Sequence, residues 1–366
     1  MGPNLKKLQT HRTTTAAGTA MAALLALSAC GGTDESNGED SASGGNDAPL
    51  VLSTFPFGVE EFQEAVVDPF TEMTGIDVEI DTGANADRLS ALQLAGGEDP
   101  GVDVVLISDY FAAMGQEEGL FQELDPELVP NLEEIADFAV DDSYYGPAYS
   151  YQLYGTIYST EELSENEAAD WELWGEDGYS GRLALPDIAP TAGQLMVSGV
   201  ADTYGSGPYD VDTAYEVLGD WAPGILQFYS SSTEVVNLLV QGEIVAAGSL
   251  SGFAVDLEEG TAWTAPDEGR YMATNHAMIA EGSENVEAAH QFIDYLLSVE
   301  AQASSAELVS DLPVNLQADI PENIDAVVGT IAEDPIEAGY QTLDPSELVD
   351  TRGEWVDRFA REVVSQ

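Results

Sequence analysis

Side chains able to bind or react cluster at the ends of apolar runs. VDVVLI (residues 102–107) ends in Ser108-Asp109-Tyr110, and LVLST (50–54) leads into Phe55 and Phe57. The run Leu183 to Leu185 is followed by Asp187, Thr191 and Gly193. Parallel strands of an open α/β sheet place ligand contacts beyond their C-terminal ends, so these residues are the first candidates for a site. Carboxylates that pair a charge and ring faces that attract it suit capture of a cation. Backbone N–H groups at the start of a helix after Thr191 suit an anion instead. Plain structural roles stand beside these: Ser108, Asp187 and Thr191 as helix caps, Phe55 and Phe57 as a hydrophobic staple or core. The stretch Tyr144 to Tyr158, with Tyr151 inside it, is dense in tyrosine. Such a stretch suits a cleft, since each ring offers an apolar face and a hydroxyl.

Chemistry beyond binding has little footing. Past the first dozen residues the histidines are His276 and His290, and there is no nucleophile elbow, phosphate-binding loop, dinucleotide fingerprint or Cys/His metal spacing. A Ser108 or Ser251 nucleophile served by His276 has no local motif behind it. Adjacent Tyr144 and Tyr145 suggest ferric iron, but no cluster of His or acids stands near them at a fixed spacing. With 68 acids, chance carboxylate pairs are certain, so a surface-anchored hydrolase is the alternative from another class. The expectation is no enzymatic activity, cofactor or metal.

The elements that must position these residues alternate. Leu50 to Thr54 reads as a strand, Glu60 to Thr74 as a helix stopped by Gly75, and Ile76 to Ile80 as a strand. Ala86 to Leu94 reads as a helix, and residues 102–107 as a buried strand. This pitch indicates a parallel or mixed α/β sheet with right-handed crossovers. Further on, Gln194 to Thr203 and Ser230 to Gly242 read as helices, with strands at Ile244 to Ala247 and Tyr271 to Ala280. From Glu284 the chain reads as an amphipathic helix, then a second helix and a Pro-marked exit. Ala288, Phe292, Tyr295, Leu296 and Val299 are expected on one apolar stripe.

The wording of these segments, in order, resembles the extracellular solute-binding proteins of ABC importers, and most closely the group with polyamine, ferric-iron and thiamine binders. The resemblance runs through FTEMTGIDVEI, ANADRLSALQL, DVVLISDY, WELWGEDGYSGRLALPDIAPT, PDEG, SENVEAAHQFIDYLLSVEAQ and LPVN, covering nearly everything from Leu50 onward. It implies a type II periplasmic-binding-protein fold: two lobes, 50–148 plus 270–342 and 152–266 plus 345–366, joined by crossings near Tyr149, Ala265 and Leu343. It also implies a ligand cleft between lobes that hinge shut. In that cleft it places Ser108, Tyr110 and Asp187, the turn at Leu250 and Ser251, and Asn275. Measured against the polyamine pattern, Phe55 and Phe57 replace a Trp/Tyr pair and Pro190 replaces an acid. Leu250 stands for an aromatic, Asn275 for an Asp and Val356 for a Gln. The implied ligand is a polyamine such as putrescine or spermidine, or a related organic amine, with a ferric, thiamine or phosphonate-type solute as alternative. Arg270 is available to pair an acidic solute.

The 366 residues suffice for two lobes, and 68 Asp and Glu against 9 Lys and Arg give a formal charge of -59. Lys6, Lys7 and Arg12 account for three of the nine; six arginines and no lysine follow. Such a surface repels nucleic acid and reads as halophilic adaptation, because salt screens its self-repulsion. The basic start, the apolar stretch Ala16 to Leu27 and Leu27-Ser28-Ala29-Cys30 look like a lipoprotein signal (1–30) that leaves Cys30 lipidated. Residues 31–49, rich in Gly, Ser and acids, are expected to be a disordered tether of roughly 25 Å r.m.s. span. The expected protein is a monomer on the outer face of the cell membrane, held by lipid alone, whose partners are a small molecule and an ABC permease.

Overall fold

The computed structural model describes residues 48–365 apart from 142, 256 and 258. The signal, the lipidation residue Cys30 and the tether through residue 47 lie outside the described residues. The apolar runs form β1 (Leu50–Thr54), β2 (Val78–Thr82), β3 (Val104–Ser108), β4 (Phe121–Gln122), β5 (Ala148–Ser159) and β6 (Leu183–Pro186). They continue as β7 (Ile225–Tyr229), β8 (Ala246–Leu250), β9 (Thr261–Thr264), β10 (Met272–Ala280) and β11 (Leu312–Pro313). The strand order is β2-β1-β3-β10-β5-β8-β6-β7, with β4 paired to β10 and with β9 and β11 paired to β5. β1 runs parallel to β2 and β3, and β6 parallel to β7 and β8. β10 lies antiparallel between β3 and β5. The long β5 serves both halves of the sheet. Met272 to His276 of β10 pair with its first part, up to Leu153, whereas β8 pairs from Tyr154 onward.

Helices flank this mixed sheet: α1 (Val59–Phe62), α2 (Asp68–Thr74), α3 (Asn85–Ala95), α4 (Asp109–Glu117), α5 (Glu165–Ala169) and α6 (Thr191–Tyr204). α7 (Val211–Trp221), α8 (Ser232–Val240), α9 (Val286–Leu296), α10 (Val299–Leu308), α11 (Glu322–Val328) and α12 (Pro345–Phe359) complete them. α5, α7, α11 and α12 have no counterpart among the helices expected from the sequence. Between α1 and α2 the chain widens into a π turn, Gln63–Val67, just before Pro69. Proline has no N–H for the carbonyl four residues back, and a widened turn removes that clash. The second strand starts at Val78 rather than Ile76. Gly75 ends α2 at φ 75°, and the Ile76 N–H is held by the Thr74 hydroxyl at 3.1 Å, so two residues go into the turn.

One apolar cluster gathers Leu50, Leu52, Val104 and Leu106 of the sheet against Phe70, Phe292 and Leu296, all fully buried. A second surrounds Trp171, Trp174, Leu183, Leu195 and Trp355. Phe292 meets the face of Phe70 edge-on at 5.2 Å, an arrangement whose loss to alanine costs about 3–5 kcal/mol. The expected stripe fails at Val299, which is 40% exposed. Ser298 starts a new helix by accepting the Ala301 N–H at 3.3 Å, which resets the phase, and Ala289 and Ile293 are buried instead.

Candidate functional site

Three strands carry a polar row through the sheet. Asn275 on β10 is in register with Ser108 on β3 and Ser150 on β5. Its amide donates to the Ser150 hydroxyl at 3.1 Å, and the Asn85 amide donates to Ser108 at 3.0 Å. Two residues along β5, and so on the same face, Gln152 Oε1 accepts from the Gly252 N–H at 2.8 Å and from the Ser251 hydroxyl at 3.3 Å. Ser251 in turn accepts the Leu153 N–H at 3.2 Å.

The row converges on Asp311. This residue follows Ser310, whose φ of 66° is the only left-handed value outside glycine among the described residues. Left-handed backbone is strained for a side chain other than glycine, Asn or Asp, and such strain gathers at ligand sites. The Asp311 carboxyl is enclosed although the residue keeps some open surface, and burial pushes it up to about 6. Hydrogen bonds from Ser305, Ser150 and Gln152 pull the other way without cancelling that cost. Ion pairs among the described residues are made by Arg182, Arg358 and Arg361, and Asp311 is in none of them.

Asp109, at the start of α4, is also buried. Enclosure pushes it up to about 6 against the N–H groups of Tyr110 and Thr274 and, last, the charge of Arg352. Asp187 is half-buried after β6, where its carboxyl accepts the Ala189 N–H at 3.1 Å. Thr191, half-buried, opens α6 just beyond. The Phe55 and Phe57 rings stack at 5.4 Å, and Phe57, 60% exposed, also meets Phe253 at 6.2 Å. The Arg88 guanidinium lies 5.1 Å from the Phe55 ring centre, though its N–H groups are taken by Gly83, Leu106 and Asn85. Tyr110 is half-buried, with the Arg352 guanidinium 4.3 Å from its ring centre.

The structure thus brings Ser108, Ser251 and Asn275 into one polar row, and sets Phe55 and Phe57 in a shared aromatic group with Phe253. Asp109 and Tyr110 adjoin the row by following Ser108 directly. Tyr151 lies apart: the alternation of β5 turns it to the other face, where its hydroxyl donates to the Ala332 carbonyl at 3.0 Å. Leu250 packs half-buried against the second cluster. Sequence reasoning missed Ser150, Gln152, Asp311 and Arg352. For Asp311 a signal existed, an acid between a helix and the LPVN exit. A cavity of about 480 Å³ lies elsewhere, between α3 and the β1–β2 edge, lined by Ser53, Glu79, Asp81 and Arg88.

Neither histidine is set up for catalysis. His276 is buried between the Thr274 hydroxyl at 2.9 Å and the Gly146 carbonyl at 3.0 Å, under the stacked Tyr144 ring, and burial pushes it down to about 4. His290 Nε2 accepts the Asp125 N–H at 2.9 Å. Among the described residues no three His, Cys, Asp or Glu are grouped to hold a metal, and no helix is long and apolar enough to cross a membrane.

The family model for bacterial extracellular solute-binding proteins matches residues 65–329, and the chain belongs to that family. Its members are binders, not enzymes; they take up small ligands outside the cytoplasm and deliver them to ABC permeases. Spermidine/putrescine-binding periplasmic protein 1 of Haemophilus influenzae is 26% identical over 281 residues, 74% of this chain and 76% of that one. An ABC transporter crystal structure from Clostridium perfringens superposes with a TM-score of 0.74 at 26% identity, over 86% of this chain and 99% of that one. The spermidine/putrescine substrate-binding protein of Streptococcus pneumoniae, solved with calcium and HEPES, gives 0.67 at 20% identity, over 85% and 98%. The fold is the two-lobed type II periplasmic-binding-protein fold.

Proposed function

We propose that this receptor captures a small organic amine, of the polyamine class or related to it, and closes its lobes around it. One observation carries the reading: the Asp311 carboxyl is enclosed by neutral donors and, among the described residues, makes no ion pair. A ligand ammonium would supply the missing charge, and a charge-assisted hydrogen bond is about twice as strong as a neutral one. Asp109 and Asp187 add carboxylates; Phe55, Phe57 and Tyr110 add ring faces; Ser108, Thr191, Ser251 and Asn275 add neutral contacts. The polyamine-binding name of the Haemophilus influenzae relative supports the class.

The lobes are taken as 50–148 plus 270–342 and 152–266 plus 345–366. Closure works if the ligand contacts both lobes only in the shut form, which gives that form the higher affinity. A lipid on Cys30 would hold the receptor on the outer membrane face; Cys30→Ala should then move the protein from the membrane to the soluble fraction, and retention on membranes would refute the anchor.

A thermal-shift screen tests the ligand class, because a ligand that binds the native state raises its melting point. Putrescine, spermidine and simple amines should shift it; thiamine, ferric citrate and phosphonates should not. Asp187→Asn should weaken the best amine by about ten-fold or more, the loss of a charge-assisted bond. Shifts with anions alone would overturn the amine reading.

A further inference from the structure

Arg352, in the middle of α12, is 9% exposed. One Nη2 donates to the Ala189 carbonyl at 2.7 Å, two residues beyond Asp187. The guanidinium stands 4.3 Å from the Tyr110 ring centre and 5.5 Å from that of Phe111. Its Nε is enclosed and has no hydrogen-bond partner among the described residues. No carboxylate among them lies within ion-pair distance either, for the pairs formed belong to Arg182, Arg358 and Arg361. Asp109 feels its charge only as the last of four influences.

That arrangement is costly in any protein, because buried donors are nearly always satisfied and buried charges paired. It is stranger in a chain with 68 acids, where a neighbouring carboxylate was easily available. Arg352 touches two segments that carry proposed ligand contacts, Tyr110 on α4 and the turn from Asp187 to Ala189 before α6. Arginine's planar fork suits a carboxylate bound from outside. The same charge opposes a second ammonium at this spot.

We propose that Arg352 is the anchor for a carboxylate of the ligand, so that the ligand carries an amine and an acid together: an amino carboxylate rather than a diamine. This rests on the amine reading and narrows it. The amine goes to the carboxylates, and the acid to Arg352. A purely structural Arg352, tying α12 to α4 and to the turn before α6, would support folding without favouring any ligand.

Calorimetric titration of the full-length protein with length-matched probes separates these roles. The probes are 4-aminobutyrate against putrescine, 5-aminopentanoate against cadaverine, and butylamine and butyrate as single-ended controls. Each amino acid should bind at least about ten-fold more tightly than its diamine, the scale of one charge-assisted contact. Arg352→Met should lower affinity for the preferred amino acid at least about ten times more than affinity for butylamine. Arg352→Lys, which keeps the charge and loses the fork, should recover part of the loss, and it serves alone if the Met variant does not fold. Equal or tighter diamine binding, or equal losses for both probes, would overturn the anchor and leave the amine reading intact. Butyrate binding as well as the amino acids, and through Arg352, would uphold the anchor and sink the amine reading. No binding by any probe would overturn both.

Discussion

The carboxyl of Asp311 costs the empty receptor stability at neutral pH. Its folded value of about 6 lies above the ordinary 3.8, so between those values the native state holds more protons than the unfolded chain. Stability from this group is therefore fully present at acid pH and falls as pH rises through 6. The cost at neutral pH approaches about 3 kcal/mol, at roughly 1.4 kcal/mol per pKa unit. His276 acts in the opposite sense: held near 4 against 6.5, it removes stability as pH falls between those values. A variant-minus-parent comparison cancels the histidine. Asp311→Asn should raise unfolding free energy by about 1–3 kcal/mol near pH 7.5, with the gain gone by about pH 4, while weakening the amine ligand by about ten-fold or more. Denaturant unfolding across pH reads the first effect and titration the second; a gain that persists in acid would mean Asp311 is not the enclosed charge described here. Ser108, Asp109, Tyr110 and Asp187 stood out as candidates in the sequence because each follows an apolar run, and strand ends are where such sheets place contacts. Ser150 and Gln152 were not, since they alternate with tyrosines inside one strand and nothing local says which face is polar. Arg352 lay on a helix that the sequence did not announce.

Helices set these side chains through close approaches as much as through caps. Gly193 in the first turn of α6 lies against the Asp187 carbonyl and Ile188 Cα, so a methyl there overlaps fixed backbone. Gly193→Ala should push away the turn that carries Asp187 and Ala189, costing about 1–3 kcal/mol and weakening ligand binding. Gly353 in α12 is the natural contrast: a Cβ there meets nothing within 4 Å, and helix interiors favour alanine over glycine by about 0.5–1 kcal/mol. Gly353→Ala should therefore stabilise, and the same sign for both substitutions in thermal melts would refute the packing account. The α9–α10 pair shows what periodicity does and does not convey. Phe292 and Leu296 are buried as their spacing implied, yet Val299 is not, because a serine cap breaks the phase and a spacing rule assumes one unbroken helix.

At the scale of the molecule the strand–helix order was readable, whereas the seam between the proposed lobes carries no local mark. The proposed first crossing, near Tyr149, lies in β5, which runs unbroken and changes partners between Leu153 and Tyr154. A continuous strand leaves no turn residue to mark where one half ends. Three segments meet there. The Tyr154 N–H donates to the Tyr271 carbonyl at 3.1 Å, the Met272 N–H to that of Gln341 at 3.0 Å, and the Tyr340 hydroxyl to that of Tyr154 at 2.9 Å. If the lobes hinge about this seam, motion concentrates in these few bonds, since the packed clusters on either side resist deformation. A saturating amine should then shrink the radius of gyration in solution scattering. Tyr340→Phe removes one tie across the seam while keeping its ring. It should leave the bound dimensions unchanged and alter only those of the free protein. High salt belongs in both measurements, because a formal charge of -59 swells any two-part body unless screened. Equal dimensions with and without ligand, at salt sufficient to collapse that repulsion, would show a receptor that binds without closing.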